Sequence, residues 1–207
     1  LGIIDYGSGN LHSVEHALVH AAADLKGISS IERITTADAL TRCDQIVLPG
    51  VGHFADCRNG LMAVDGMVDV LHDAVMVRGL PFLGICVGMQ LLFEKSEETS
   101  KKIEGLKILE GNVSLMKVDK KNSIHVPQVG WNKIYPNLKS NYLLDFKDHG
   151  SDFYFIHSYH LIQNFILSPI MWSKKYYARA FKRKSIFDNL RRRIQKNFKG
   201  EKIAVKF

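Results

Sequence analysis

The stretch from Phe82 to Phe93 constrains the fold more than any other part of the chain. It opens with a short apolar run, Phe82-Leu83-Gly84-Ile85, which suits a buried strand. Beyond Cys86, apolar residues recur at spacings that fit one face of a helix, so Cys86 falls at a strand-to-helix turn. Gly84 and Gly88 flank it in the Gly-x-Cys-x-Gly form of a nucleophile elbow, which favours a reactive thiol over a buried structural one.

The second informative stretch is a glycine-rich loop after another apolar run. Residues 45–48 predict a buried strand, and Pro49-Gly50-Val51-Gly52 follows directly. Alone, this loop would be read as a plain turn. Beside the elbow, the backbone of Val51 and Gly52 can face the same oxyanion as the N–H of Val87, while the helix dipole favours the thiolate of Cys86. Together the two stretches predict half of an amide-hydrolysing site.

The order of elements predicts an α/β fold. Strands separated by helices favour an open, mostly parallel sheet with right-handed crossovers and a ligand at the carboxyl ends of the strands. After Gly105, shorter segments predict a small antiparallel portion that is broken at Gly130, and the polar segment 94–102 predicts a loop. The predicted strands are 1–4, 31–34, 45–48, 82–85, 111–118, 124–128, 131–134 and 153–159. The predicted helices are 11–23, 38–43 and 67–78, and Gly79 ends the third of these helices.

Four motifs in order resemble the class I glutamine amidotransferases. They are Asp5-Tyr6-Gly7-Ser8-Gly9-Asn10-Leu11, Leu-Pro-Gly-Val-Gly at 48–52, Gly-Ile-Cys-Val-Gly-Met-Gln at 84–90, and Gly130-Trp131-Asn132. Within that family the chain is similar to the glutaminase subunits of imidazole glycerol phosphate synthase. The resemblance covers residues 1 to about 160. It implies a flavodoxin-like fold and an enzyme that hydrolyses glutamine to glutamate and ammonia for histidine biosynthesis.

The resemblance also implies roles for individual residues. Cys86 would be the nucleophile, with Val51, Gly52 and Val87 at the oxyanion. The glutamine pocket would include Gly50, Gln90 and the segment His157-Ser158-Tyr159, the last mainly through its backbone. Asn10, Trp131 and Asn132 would face a (β/α)₈ cyclase subunit, the partner in a heterodimer to which ammonia is channelled. Two alternatives stay open: Asn10 as a helix cap and Trp131 as a core residue.

The C-terminal segment departs from the family pattern. Class I amidotransferases complete a Cys–His–Glu triad with a His-Pro-Glu run, and these 207 residues contain no such run and no histidine after His160. Residues 161–207 hold 13 Lys and Arg against 2 Asp and Glu, while residues 1–160 hold 15 and 19. We interpret 1–160 as an incomplete amidotransferase domain and 161–207 as a basic tail produced by a frameshift. Genuine divergence, including a gained basic helix over 182–199, is the alternative.

Composition excludes several other classes of protein. No apolar run approaches the roughly 20 residues that span a bilayer, and three irregularly spaced cysteines argue against a disulfide framework. We therefore expect a cytoplasmic protein, with no metal or organic cofactor and no membrane partner. The basic tail could suggest nucleic-acid binding, but a frameshift explains its charge more simply.

Three alternatives to the main functional prediction stay open. One is a paralogue that supplies ammonia for surface-sugar biosynthesis. Another is a catalytically dead docking or regulatory subunit, which the missing His-Pro-Glu run favours. The third is a nucleic-acid-binding protein acting through the tail. For the chain as written, loss of the base predicts little glutaminase activity, since acid–base help contributes about 10² to 10⁴-fold.

Overall fold

The first half of the chain forms a parallel sheet with helices between its strands. The computed structural model describes residues 1–23, 28–99, 103–118, 125–134 and 151–162. Four strands pair in the order β2-β1-β3-β4, all parallel. The strands are β1 (Gly2–Ile4), β2 (Glu32–Ile34), β3 (Ile46–Gly50) and β4 (Phe82–Cys86). The predicted α/β fold is thus confirmed.

Capping residues and a glycine mark several ends of the helices in this half. They are α1 (Leu11–Ala22), α2 (Ala37–Thr41), α3 (Phe54–Ala63), α4 (Met67–His72) with a π-helical turn Asp73–Val77, and α5 (Val87–Gln90). Asn10 caps α1 by accepting a hydrogen bond from the N–H of Ser13, and Thr36 caps α2 by accepting one from the N–H of Ala39. Gly79 adopts φ +64 after the π turn, as predicted for a helix stop. Helix α3 is missing from the sequence prediction.

The core lies on both faces of this sheet. Ile4, Ile46 and Leu48 point to one face and pack with residues of α2, α3 and α4. Ile3 and Val47 point to the other face and pack with Leu18 and Ala21 of α1. Because strand side chains alternate between faces, two faces covered by helices require strands that are apolar throughout. This explains why β1 and β3 read as continuous apolar runs.

The smaller portion in the second half is mostly antiparallel and contains one parallel pair of strands. A sheet in the order β10-β7-β5-β6 contains β5 (Lys95–Ser96), β6 (Ile103–Glu104), β7 (Asn112–Leu115) and β10 (Tyr159–Ile162). A separate pair joins β8 (Gln128–Ile134) to β9 (Ser151–His157). Within the ranges given above, no helix is long and apolar enough to cross a membrane.

Several predicted boundaries are wrong for identifiable reasons. The helix after Cys86 ends at Gln90, because the carbonyls of Leu91, Leu92 and Phe93 instead accept bonds from the N–H groups of residues 106, 107 and 109. The segment 94–102 is not only a loop, since Lys95 and Ser96 pair with two strands; residues 100–102 lie outside the described ranges.

The antiparallel strands also differ from their predicted bounds. Residues 125–127 form no strand, since Pro127 has no N–H to donate, and Ile124 is outside the description. Strand β8 runs unbroken through Gly130, whose φ of +140 only glycine adopts readily. The predicted strand 153–159 instead bends at Ser158, whose carbonyl accepts from the Met116 N–H. The bend separates β9, which pairs with β8, from β10, which pairs with β7. The predicted basic helix at 182–199 lies outside the described residues.

Candidate active site

Cys86 sits at a strained strand-to-helix turn. It ends β4, and Val87 starts α5. Its backbone has φ 55 and ψ −121, a conformation that costs a residue with a Cβ about 1–3 kcal/mol. The thiol is half-buried, and neither it nor the chain's other two cysteines, Cys43 and Cys57, forms a disulfide. Strain of this kind at a reactive side chain is typical of a nucleophile elbow.

Backbone contacts around the elbow leave no room for side chains at three glycines. A Cβ on Gly88 would collide with the carbonyl oxygen of Leu48, and one on Gly84 would lie 2.6 Å from the Cα of Met89. A Cβ on Gly50 would lie 2.5 Å from the N of Gly88. Strands β3 and β4 and helix α5 therefore approach one another backbone to backbone, which fixes the position of Cys86 relative to the glycine-rich loop.

The loop Pro49–Gly52 lies directly beside Cys86. Gly50 is the register partner of Cys86 in the parallel pairing of β3 with β4, so their Cα atoms are about 4.8 Å apart. Gly52 adopts φ +102, and the Val51 side chain is exposed. The structure thus brings together the predicted nucleophile and the predicted oxyanion residues at the carboxyl edge of the sheet.

The first βα loop supports this glycine-rich loop from behind. The Tyr6 hydroxyl donates to the Pro49 carbonyl at 2.7 Å. The Ser8 hydroxyl donates to the Val51 carbonyl at 2.9 Å and accepts from the Val51 N–H at 3.3 Å. Burial raises the pKa of Tyr6 well above its usual range, so the phenol stays a donor. Sequence reasoning missed Ser8 and Tyr6 as parts of the site.

A distant carboxylate holds the other end of the loop. Glu98 accepts a hydrogen bond from the N–H of Phe54 at 2.7 Å, at the first turn of α3, while its own N–H donates to the Ser96 hydroxyl. His53 accepts from Ala55 N–H through Nδ1. Glu98 therefore connects the polar segment after α5 to the loop beside Cys86. Because 44 residues separate the two partners, no local sequence pattern indicated the contact.

The predicted glutamine pocket residues fall in two groups. Gln90 is buried one helical turn after Cys86. His157, Ser158 and Tyr159 lie where β9 gives way to β10, and His157 Nδ1 is 2.9 Å from the Tyr159 carbonyl oxygen. Tyr159 and Cys86 pack against the same core cluster.

The predicted partner-facing residues are exposed. Asn10 caps α1 at the carboxyl edge of the parallel sheet. Trp131 is 38% exposed on β8 and meets Tyr154 edge-to-face at 5.5 Å, with Asn132 exposed beside it. Val129 and Ile156 on the same two-stranded sheet are also exposed. Trp131 is therefore a surface residue of this sheet rather than a core residue.

Across the described ranges, no three His, Cys, Asp or Glu side chains come close enough together to hold a metal ion.

The elbow, its glycines and the loop beside it define a class of enzyme. The chain belongs to the class-I glutamine amidotransferase family, whose family model matches residues 2–168. It is a glutamine-hydrolysing enzyme subunit by that membership.

Curated relatives narrow the comparison further. The chain is 46% identical over 165 residues to "Imidazole glycerol phosphate synthase subunit HisH" of Brucella suis, covering 78% of this chain and 74% of the relative. The protein of the same name from Rhodospirillum rubrum is 43% identical over 162 residues, which cover 77% of this chain and 74% of the relative. The one from Rhodopseudomonas palustris is 40% identical over 163 residues, which cover 78% of this chain and 74% of the relative.

Proposed function

We propose that this chain is the glutaminase subunit of an imidazole glycerol phosphate synthase. The single observation that carries the proposal is Cys86 at a strained elbow, in register with Gly50, in a chain that is 46% identical to a protein of that name. The named relatives do not favour the surface-sugar alternative. We assign the protein to the cytoplasm and to histidine biosynthesis on the same grounds.

The proposed reaction begins with attack by the Cys86 thiolate on the side-chain amide carbon of glutamine. The C–S bond forms, and the carbonyl electrons move to the oxygen. The N–H of Val87 and the backbone of Val51 and Gly52 stabilise this oxyanion. Collapse expels ammonia once its nitrogen is protonated and leaves a glutamyl thioester. Water then cleaves the thioester, releasing glutamate and the thiol.

The pocket around this carbon is proposed from the same residues. Gln90, buried one turn after the proposed nucleophile, holds the glutamine amide, and the backbone of Gly50, the register partner of Cys86, lies beside it. The backbone of His157, Ser158 and Tyr159 lines the far side, and His157 is not assigned a catalytic role. No metal or organic cofactor takes part in this chemistry.

A partner subunit would receive the ammonia. The relatives are named as subunits of a synthase, which supports a heterodimeric assembly, and we propose a (β/α)₈ cyclase as the partner. Asn10, Trp131 and Asn132 would contribute to the contact. The exposed Val129 and Ile156 add apolar surface beside them.

The missing base limits activity. Proton transfer in this family needs an imidazole beside the sulfur, and the chain has no histidine beyond His160. We propose that residues 161–207 stand in place of the segment that carries it, so the chain as written binds glutamine but turns it over poorly. A docking or regulatory subunit is the second candidate, favoured by this one observation.

A chimera tests the proposal. Residues 1–160 are joined to the C-terminal segment of the Brucella suis relative, and glutamate release is measured with the cyclase subunit of that species present. We expect the chimera to exceed the 207-residue chain by about 10² to 10⁴-fold. The same chimera carrying Cys86→Ala should lose this gain. A folded chimera with no activity, or a gain that survives Cys86→Ala, would contradict the glutaminase function.

A further inference from the structure

Helix α1 carries a stripe of histidines on its exposed face. His12, His16 and His20 recur every fourth residue, so they lie on one side of the helix, and all three are exposed. Three of the nine histidines in the 207 residues thus fall within a helix of twelve residues, which composition alone does not explain. The opposite face of α1, with Leu18 and Ala21, packs on the sheet, so the stripe takes no part in the core.

The first two histidines of the stripe are close enough to share one ion. The ring centres of His12 and His16 are 6.4 Å apart, and the ring planes are tilted by 38°. A metal ion bonded to a ring nitrogen at about 2.0–2.1 Å lies about 3 Å from the centre of that ring, so two imidazoles on one ion have centres no more than about 6 Å apart. Exposed side chains change rotamer within nanoseconds, so small rotations bring both nitrogens within bonding distance of one ion.

Paired imidazoles select a particular class of ion. Imidazole nitrogen suits Zn²⁺, Cu²⁺ and Ni²⁺, whereas Mg²⁺ and Ca²⁺ prefer oxygen ligands. Two histidines at positions i and i+4 of a helix are also the zinc ligands of the His-Glu-x-x-His motif. In the part of the chain that the structure describes, no third His, Cys, Asp or Glu completes a set, and the carboxylate of Glu15 is bound by Arg33 at 2.6 and 2.8 Å. Water would therefore fill the remaining coordination positions.

Two opposing effects determine the affinity of such a pair. His12 is the second residue of α1, and the partial positive charge at a helix N-terminus lowers the affinity for a cation by about two- to fivefold. A second ligand held beside the first raises the affinity by about 10²-fold or more, because the second bond forms within one molecule. The gain from chelation is the larger effect, so the pair binds an ion more tightly than either imidazole alone.

We propose that His12 and His16 form a surface chelate for one divalent transition metal ion of the Ni²⁺, Cu²⁺ and Zn²⁺ class. The chelate uses none of the residues assigned to glutamine hydrolysis, so its test is independent of that function. Because both imidazoles meet one ion only while residues 12–16 are helical, metal binding also stabilises the folded form of α1.

Paramagnetic broadening by Ni²⁺ locates the site residue by residue. The full chain, without a purification tag, is labelled with ¹⁵N, and Cys86 is blocked with iodoacetamide so that its thiol does not compete for the ion. Ni²⁺ is added at about pH 7.5, where most imidazoles are neutral and coordinate metals. We expect the amide signals of Ser13 and Ala17, next to the two ligands, to broaden at the lowest Ni²⁺ concentrations. An excess of Mg²⁺ over Ni²⁺ should leave this broadening unchanged.

Two variants and a matched control identify the ligands. His12→Gln and His16→Gln should each raise the Ni²⁺ concentration for half-broadening of the Ser13 signal by about 10²-fold, because each leaves a single imidazole at the site. His20→Gln removes the next histidine of the same stripe and should leave that concentration unchanged. All three positions are exposed, so these substitutions leave the fold intact.

Three outcomes would overturn the proposal. If His12→Gln binds Ni²⁺ as tightly as the parent, or if His20→Gln weakens binding as much as His16→Gln, the chelate is not made by His12 and His16. If the α1 signals broaden no earlier than those around His72, an exposed histidine without a second one in its helix, the pair has no chelating advantage. Displacement of Ni²⁺ by Mg²⁺ would exclude imidazole ligands.

Discussion

The backbone strain at Cys86 predicts that removing its Cβ stabilises the protein. With φ 55 and ψ −121, any residue with a Cβ costs about 1–3 kcal/mol at this position. Glycine avoids that cost but loses about 0.5–1 kcal/mol through the greater freedom of its unfolded chain. The comparison is therefore between Cys86→Gly and Cys86→Ala, because both remove the thiol and only alanine keeps the strain. We expect Cys86→Gly to be more stable by roughly 0.5–2 kcal/mol.

Urea unfolding followed by far-UV circular dichroism measures this difference. With a slope near 2 kcal/mol/M, 1 kcal/mol shifts the midpoint by about 0.5 M. Ala17→Gly on the exposed face of α1 is the control, and it should lose about 1 kcal/mol because its backbone is helical. The reasoning is refuted if Cys86→Gly proves no more stable than Cys86→Ala while the control behaves as expected. Neither variant should form the thioester.

Two further substitutions test the contacts around the elbow. Gly88→Ala should lower the free energy of unfolding, measured in urea, by about 1–3 kcal/mol or more, because the new Cβ would collide with the backbone of Leu48. Gly7→Ala is the control: open space surrounds this position, and its φ of +82 alone should cost about 1 kcal/mol. Equal losses in the two variants would contradict the contact at Gly88. Tyr6→Phe should cost about 1–2 kcal/mol at pH 7 through loss of the bond to Pro49. Since the folded pKa of Tyr6 is raised, its contribution is present below pH ~10 and falls as pH rises further, so Tyr6→Phe should flatten the alkaline limb of stability.

The parallel half of the fold was predictable because its signals are local. Apolar runs such as Ile46–Leu48 and glycine punctuation such as Gly79 depend on residues close in sequence. Helix α3 was missed because its sequence, Phe54–Ala63, has only three buried residues and a weak apolar periodicity. In the antiparallel half, strand ends were set by distant partners. The strand bends at Ser158 because the carbonyl of Ser158 accepts a hydrogen bond from the N–H of Met116. The residues next to Ser158 in sequence give no sign of this distant partner.

The candidate site divides in the same way. Cys86, Gly88 and Gly50 could be picked out because a strained turn and close backbone approach demand particular residues. Ser8 and Glu98 could not, since each acts on the loop beside Cys86 from more than 40 positions away. A serine in a glycine-rich turn and a glutamate in a charged loop are ordinary residues in sequence. Only the fold shows that their oxygens meet N–H groups of residues 51 and 54.

The placement of these contacts bears on how the missing base would affect the enzyme. The proposed nucleophile Cys86, the glycines around it and the hydrogen bonds between Ser8 and Val51 all involve residues before position 91. The family's imidazole and carboxylate would come from the region after His160, where this chain departs from the pattern. In the proposed site, geometry at the sulfur and proton transfer to and from it therefore depend on separate parts of the chain. We expect that adding the relative's C-terminal segment raises turnover and leaves the amide exchange of Val51 unchanged in the absence of the partner.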